Sequence, residues 1–313
     1  MTVSVLGAGA FGTALAVTLA GNGPVTLWGR DAAKLRANPK LPGVSLPLEV
    51  KATTDLAKAT AANTLLLALP AQALGAFLAD HAGLLDGKSL VSTAKGIDLT
   101  TLTGPSELIR AACSAATVAV LTGPSFATDI ARGLPTALTL ACADAERGEA
   151  LQAELSTQTL RLYRSTDVTG AELGGALKNV IAIAAGAVMG RQLGDSARAA
   201  IITRGFAEMT RLATHLGARA ETLTGLSGLG DLTLTCTSDQ SRNYRFGFSL
   251  GAGTEFDSST TVEGAATAQA VAALAGKLGL DLPITAAVAG LVTRRVSVEK
   301  LMQQLLNRPL KDE

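Results

Sequence analysis

MTVSVLGAGAFGTALAVTLAGNGPVTLWGRD, residues 1–31, carries no charged side chain before Arg30. An apolar start of this kind is a secretion signal, a membrane anchor or the phosphate cradle of a nucleotide-binding sheet. A signal peptide needs a basic segment ahead of its apolar run, and Met1-Thr2 supplies none. A membrane helix needs ~20 apolar residues in succession. Here Gly7, Gly9, Gly12, Gly21, Asn22, Gly23 and Pro24 interrupt the run. The pattern instead predicts a buried strand over 2–6, a tight glycine turn over 7–12, a helix over 11–20 and a second strand over 25–29. Gly7-Ala8-Gly9-Ala10-Phe11-Gly12 is therefore a GxGxxG motif directly after a strand and opening a helix. In that setting Gly7 permits the sharp turn and Gly9 lets the backbone approach a pyrophosphate. Gly12 lets helix and strand pack closely, with the helix N-terminus facing the anion.

The second strand ends in Trp28-Gly29-Arg30-Asp31. A site for NAD usually places an acid here, to bind the ribose hydroxyls. The guanidinium of Arg30 suits a 2′-phosphate, which it can pair with bidentately, and it can also stack on adenine. NADP(H) is the expected cofactor, and Asp31 one residue later leaves NAD(H) usable.

Alternation continues beyond the cradle. Apolar runs at 63–69, 89–93, 117–121 and 136–141 read as strands, and 71–83 and 102–114 read as helices between them. Alternating strands and helices imply a doubly wound, mostly parallel sheet of the Rossmann kind. From about residue 168 the pattern changes, and 169–190, 196–217, 264–279 and 284–306 read as long helices. The expected organisation is an α/β dinucleotide-binding domain over 1–165 and an all-α substrate-binding and catalytic domain over 166–313. At 313 residues the chain is long enough for both.

Composition narrows the partners. Hydrophobic residues make up 48%, charged residues 17% and aromatics 3%, so packing rests on small side chains rather than on rings. A net charge of +1 argues against a nucleic-acid surface. Three cysteines without a CxxC pair, and only two histidines, argue against a metal site or a disulfide framework and for a reducing cytoplasm. No integral membrane segment is expected, because the other long apolar stretch is interrupted by Lys178 and Asn179.

That stretch, GGALKNVIAIAAGAVMG (174–190), is where chemistry first shows. Lys178 is its one charge, and such a lysine is costly unless it is paired or faces a cleft. The bland alternative is a lysine snorkelling from a helix end. A desolvated lysine whose pKa falls toward neutrality can donate a proton to a carbonyl oxygen, or accept one in reverse. Two further segments carry polar groups in glycine-rich settings. Gly123-Pro124-Ser125-Phe126-Ala127 follows the strand at 117–121, and loops at strand C-termini are where such sheets hold ligands. In GLSGLGDLTLTC (225–236) Asp231 sits in a glycine-rich bend, and Ser241-Arg242-Asn243 beyond it is either a phosphate clamp or a solvated polar loop.

Taken in order, GAGAFGTALA, LWGR, STAKGI (92–97), GPSFA, LKNVIAIAAG (177–186), ARAAIITRGFAEM (197–209), GLSGLGDLTLTC, SRNYRFG and VEG (262–264) span nearly the whole chain. They resemble the NAD(P)-dependent glycerol-3-phosphate dehydrogenase family of the bacterial type. The resemblance implies reduction of dihydroxyacetone phosphate to sn-glycerol 3-phosphate, feeding glycerophospholipid synthesis, by a cytoplasmic enzyme expected to be a homodimer. It implies that Lys178 is the proton donor and acceptor, and that Lys95 lies near both cofactor and substrate. Gly123 and Ser125 would line the substrate, with Ala127 close to the cofactor. Asp231 and Thr235 would hold Lys178 and the substrate oxygens, with Asn179 beside them. Ser241, Arg242 and Asn243 would form the phosphate site, and Arg242 would also approach the cofactor. Glu263, Ala10, Phe11 and Arg30 correspond to cofactor contacts. The chain departs from the family pattern at Ser196, where Asn is common, at Asp129, where Glu is common, and at Ala10, often Ser. None of these removes a catalytic group.

Two rival readings share the architecture. A hydroxy-acid or ketopantoate-type dehydrogenase also uses a lysine on the first helix of its second domain, but it needs a carboxylate clamp, whereas Ser241-Arg242-Asn243 with Lys95 suits a phosphate. A nucleotide-sensing regulator would not need Lys178, Asp231 and Arg242 together.

Overall fold

The computed structural model describes residues 3–31, 33, 35 and 41–298. Eight strands form one sheet: β1 (Val3–Leu6), β2 (Val25–Trp28), β3 (Val50–Thr53), β4 (Thr64–Leu67), β5 (Ser89–Ser92), β6 (Thr117–Thr122), β7 (Thr136–Cys142) and β8 (Leu160–Ser165). Their order is β3-β2-β1-β4-β5-β6-β7-β8. The first six are mutually parallel, β7 runs antiparallel to β6, and β8 is parallel to β7. Val3 pairs with Val25 on one side and Thr64 on the other, so strand order reverses at β1. Ligands of such sheets bind beside a reversal of this kind, at the strand C-termini. The central strands are rich in Val and Leu because both faces are covered. Leu15, Leu27 and Leu66 lie in the core on one face, and Leu65, Leu67 and Leu74 in that on the other.

The expected strands over 63–69, 89–93, 117–121 and 136–141 form, as does the described part of the strand over 2–6; Thr2 lies outside the described residues. The helix expected over 102–114 is shorter, Pro105–Ala112, because Leu102 turns at φ 59 and Pro105 starts the helix. After β8 the chain is helical. Val168–Gly190 runs through the middle of this region, and its residues dominate the second core with Met209, Leu212, Leu232, Val271 and Val288. This helix is long and apolar enough to cross a membrane, yet 89% of its apolar window is buried inside the fold. Asp195–His215, Arg242–Ala252, Glu263–Leu278 and Pro283–Val292 pack around it. Facing glycines bring Arg242–Ala252 against it backbone to backbone: a Cβ on Gly247 would overlap the Ile183 carbonyl, and one on Gly186 the Tyr244 carbonyl.

The single helix expected over 284–306 is corrected. It ends at Val292, and the chain turns through Arg294 at φ 55, a conformation no helix continues through. Residues 299–306 lie outside the described residues.

Candidate active site

The glycine turn has the geometry that its spacing predicts. Gly7 sits at φ 122, and a Cβ there would overlap the Ala68 carbonyl oxygen beside β4. A Cβ on Gly12 would overlap the Gly7 carbonyl, so strand and helix approach only without side chains. Gly9 differs, being exposed with nothing within 4 Å of its Cβ position. It caps the helix Ala10–Leu19 without any side-chain hydrogen bond, which leaves the positive end of the helix facing open space. The space above Gly9 and the uncapped helix end fit the pyrophosphate of a dinucleotide. Arg30 stands exposed beyond the tip of β2, and the Asp31 carboxylate accepts the Ala33 N–H at 2.9 Å.

Phe11, on the first turn of that helix, links the cradle to a second group of residues. It packs against the cluster of Ala14, Leu41 and Ile130, as Ala10 and Ala127 do, and the Lys95 ammonium lies 5.9 Å from its ring centroid. Lys95 Nζ donates to the Gly123 carbonyl at 3.0 Å and to Asp231 Oδ2 at 2.7 Å. Gly123, at φ 140 just after β6, also accepts the Ser125 hydroxyl at 3.2 Å. On the other oxygen of the same carboxylate, Lys178 Nζ donates to Asp231 Oδ1 at 2.8 Å, and it donates to Thr235 Oγ1 at 2.7 Å. One carboxylate, with no exposed surface, thus takes two ammonium groups, one from each region of the chain.

Lys178 stands three turns inside its helix and is 6% exposed, so it does not snorkel. Burial, and secondarily the like charge of Lys95, bring its pKa down to about 8, with Asp231 acting in the opposite sense. Burial disfavours the Asp231 carboxylate, but the Lys178 and Lys95 charges outweigh it and hold the carboxyl below its usual range. The result is a lysine charged at neutral pH that gives up its proton readily, beside excess positive charge suited to an anion.

A chain of amides braces this cluster. The Gly264 N–H donates to Asn243 Oδ1 at 3.0 Å, Asn243 Nδ2 to Asn179 Oδ1 at 2.9 Å, and Asn179 Nδ2 to the Lys95 carbonyl at 3.1 Å. Each amide keeps a second N–H. Glu263 Oε1 accepts the Ala71 N–H at 3.1 Å, at the start of helix Ala71–Leu85. Burial raises the Glu263 pKa; the Ala71 N–H and the charges of Arg242, Lys95 and Lys178 oppose it.

The structure therefore brings together Ala10, Phe11, Lys95, Gly123, Ser125, Ala127, Lys178, Asn179, Asp231, Thr235, Asn243 and Glu263. Arg30 stays apart at the far end of the cradle. The segment over 237–247 is not an open loop. Ser241 caps Arg242–Ala252, its hydroxyl accepting the Tyr244 N–H at 3.1 Å, and Arg242 is exposed on the first turn. Asp231 likewise opens the helix Asp231–Cys236 after a π-turn over Leu226–Gly230. Glu172, a second charge on the helix of Lys178, is not singled out by the apolar stretch 174–190 because it lies two residues ahead of it; its signal is an acid within an apolar helix.

A glycine cradle on a doubly wound sheet, set against a helical region that supplies a buried lysine, defines a nicotinamide-dinucleotide-dependent oxidoreductase. Residues 2–148 match the family described as NAD-dependent glycerol-3-phosphate dehydrogenase N-terminus, and 167–303 the corresponding C-terminus. The chain belongs to this family. It is 67% identical over 315 residues to the glycerol-3-phosphate dehydrogenase [NAD(P)+] of Paracoccus denitrificans, covering 100% of both chains. It is 61% identical to that of Cereibacter sphaeroides, covering 99% of this chain and 100% of the relative. The crystal structure of glycerol-3-phosphate dehydrogenase from Coxiella burnetii superposes with a TM-score of 0.93 at 37% identity, covering 98% of this chain and 99% of that one.

Proposed function

We propose that the chain reduces dihydroxyacetone phosphate to sn-glycerol 3-phosphate, reversibly, with NADPH preferred and NADH usable. Residues 1–165 form the dinucleotide-binding domain and 166–313 the substrate-binding and catalytic domain, with Gly123 and Ser125 of the first also reaching the substrate and Glu263 of the second the nucleotide. The observation that carries this reading is Lys178, buried, held by Asp231 and Thr235, and sharing the Asp231 carboxylate with Lys95, whose ammonium lies over the Phe11 ring of the cradle. A regulator would have no use for so costly a cluster.

The dinucleotide supplies the hydride when bound. Gly7, Gly9 and Gly12 shape its pyrophosphate site; Ala10, Phe11, Ala127 and Glu263 line it, and Arg30 reads the 2′-phosphate. As negative charge grows on the carbonyl oxygen, Lys178 stabilises it and delivers its proton; in the reverse direction neutral Lys178 takes the proton back. Asp231 and Thr235 fix the ammonium in one rotamer, and Lys95 adds a second positive charge. Ser241, Arg242 and Asn243 offer donors to the substrate phosphate, Asn179 helps Asp231 orient the reacting oxygen, and Gly123 and Ser125 border the carbon skeleton. The phosphate lies remote from the reacting carbon and supplies binding energy that orients the ketone. The enzyme works as a cytoplasmic homodimer feeding glycerophospholipid synthesis.

The test is loss of the near-ultraviolet absorbance of reduced nucleotide on adding dihydroxyacetone phosphate. Turnover with this ketone, and far weaker turnover with dihydroxyacetone, is expected. No turnover, or equal turnover of both ketones, refutes the proposal.

A further inference from the structure

Glu172 lies on the helix of Lys178, outside the cradle and outside the cluster around Asp231. It is 7% exposed. Its Oε2 accepts the Ser106 N–H at 2.6 Å and its Oε1 the Ser106 hydroxyl at 3.0 Å. Ser106 stands on the first turn of Pro105–Ala112, whose own N-cap, Gly104, has no side chain to satisfy that turn. A Cβ on Gly104 would overlap Glu172 Oε1, so the carboxylate occupies the place of the missing cap. A carboxylate from the helical region thus caps a helix of the sheet region.

Spacing shows what this contact holds. Positions 172, 175 and 179 recur at i, i+3 and i+7, one stripe of a helix. All three meet the sheet region: Glu172 at Ser106, Gly175 where a Cβ would overlap Thr122 Oγ1 at the end of β6, and Asn179 at the Lys95 carbonyl. Gly174 and Lys178, at i and i+4, face the other way, toward Ser227 and toward Asp231 and Thr235. The helix is a bar whose one stripe rests on the sheet region and whose other stripe carries the ammonium. Along the resting stripe Glu172 is the one charged anchor.

We infer that Glu172 is a positioning residue: by capping Pro105–Ala112 it sets the axial and rotational position of the catalytic helix, and so where the Lys178 ammonium stands relative to a nucleotide held by the sheet. The inference rests on the proposed reduction. Burial pushes the Glu172 carboxyl up to about 7, the Ser106 donors and Arg110 opposing and Glu107 reinforcing the shift.

The structure contains its own control. Glu208, 4% exposed, caps Pro283–Val292 in the same way, accepting the Ile284 N–H at 2.6 Å and the Thr285 N–H at 3.1 Å, but both partners lie within the helical region. Glu208 stabilises a helix end without joining the two regions.

The experiment compares wild type, E172A, E172Q and E208A for kcat, nucleotide dissociation constant by fluorescence, and Tm. A misplacement of about 1 Å costs up to ~100-fold, so E172A should lose kcat by roughly 10–100-fold with the dissociation constant within about twofold. Glutamine can accept the Ser106 N–H and donate to its hydroxyl, so E172Q should recover kcat to within about threefold. E208A should lower Tm while leaving kcat within about threefold of wild type. An E172A kcat no lower than that of E208A overturns the inference, and so does E172Q as impaired as E172A. Should E172A fail to fold, E172D, one methylene short of Ser106, replaces it with the same expected loss and the same overturning result. A wild type that does not turn over dihydroxyacetone phosphate sinks the proposed function instead, before any variant is compared.

Discussion

The sharpest consequence of the shared carboxylate is a pH effect. Reduction needs protonated Lys178, whose pKa stands at about 8. The rate of ketone reduction should therefore hold below that value and fall about tenfold per pH unit above it, while oxidation of the alcohol, which needs the neutral amine, rises through the same range. Asp231→Asn removes the charge that supports the ammonium and leaves burial and Lys95 acting against it. An opposite charge at contact distance is worth ~1–3 pK units, and Asp231 lies 2.8 Å away, so the limb should move from about 8 down to ~5–7. At pH ~7.5 the protonated fraction then drops from about three quarters to between a quarter and a few thousandths, a loss of roughly 3- to 200-fold from protonation alone. Much of that loss should return on acidification. The assay is kcat/KM for ketone reduction against pH in both proteins. An Asp231→Asn limb that stays at the wild-type pH refutes the reasoning, because Lys178 would then not be the group that titrates.

Stability responds with the opposite sign. The folded pKa of Lys178, about 8, lies below its ordinary 10.5, so between these values the unfolded chain binds more protons and the contribution of Lys178 to stability rises with pH. Asp231, held below its ordinary 3.8, contributes stability that is present above that value and lost as pH falls through the folded one.

Two further predictions concern the nucleotide. Gly9→Ala should leave Tm unchanged, since nothing lies within 4 Å of the new methyl, yet weaken NADPH and NADH alike by filling the space above the helix end; unchanged affinity removes Gly9 from the cradle. Arg30→Ala should weaken NADPH by ~1.5–3 kcal/mol, the range for a hydrogen bond to a charged group, and barely change NADH. Parallel loss for both would make Arg30 an adenine-stacking group, and a wild-type preference for NADH would end the argument for NADPH.

The central strands were legible because burial on both faces leaves runs of consecutive apolar residues, such as 65–67 in β4. The edges were not. Val50–Thr53 includes the exposed Lys51, and Leu160–Ser165 alternates buried Leu160 and Leu162 with exposed Arg161 and Tyr163, so neither makes an apolar run. Arg242–Ala252 was hidden by its polar first turn, although Ser241 is a residue type that caps helices, and its hydroxyl accepts the Tyr244 N–H. In the site, Lys178 was legible by the cost of its setting. Its partner stands 53 residues away, and no spacing could tell that the carboxylate would be wholly buried or shared with Lys95, 136 residues from it. Local pattern reports which groups are costly; only packing reports which of them meet.

That sharing leads to a last test. Lys178 and Asp231 both belong to the helical region, whereas Lys95 follows β5 in the sheet region. Apposing the two regions brings a second cation to a pair that would otherwise be balanced. The Lys95 charge lowers the Lys178 pKa, so the contact between regions strengthens the acid. Lys95→Met keeps most of the side-chain volume and removes the charge. Its kcat should fall on the proposed mechanism, in which Lys95 adds a second positive charge beside the reacting oxygen, but a fall alone is uninformative. The position of the alkaline limb is the readout: without Lys95 the whole carboxylate serves Lys178, and the limb should move above about 8, opposite in direction to the Asp231→Asn shift. A limb that moves down, or stays, in Lys95→Met means that the two lysines do not sense each other through Asp231, and that the acid strength of Lys178 is set by burial without help from the sheet region.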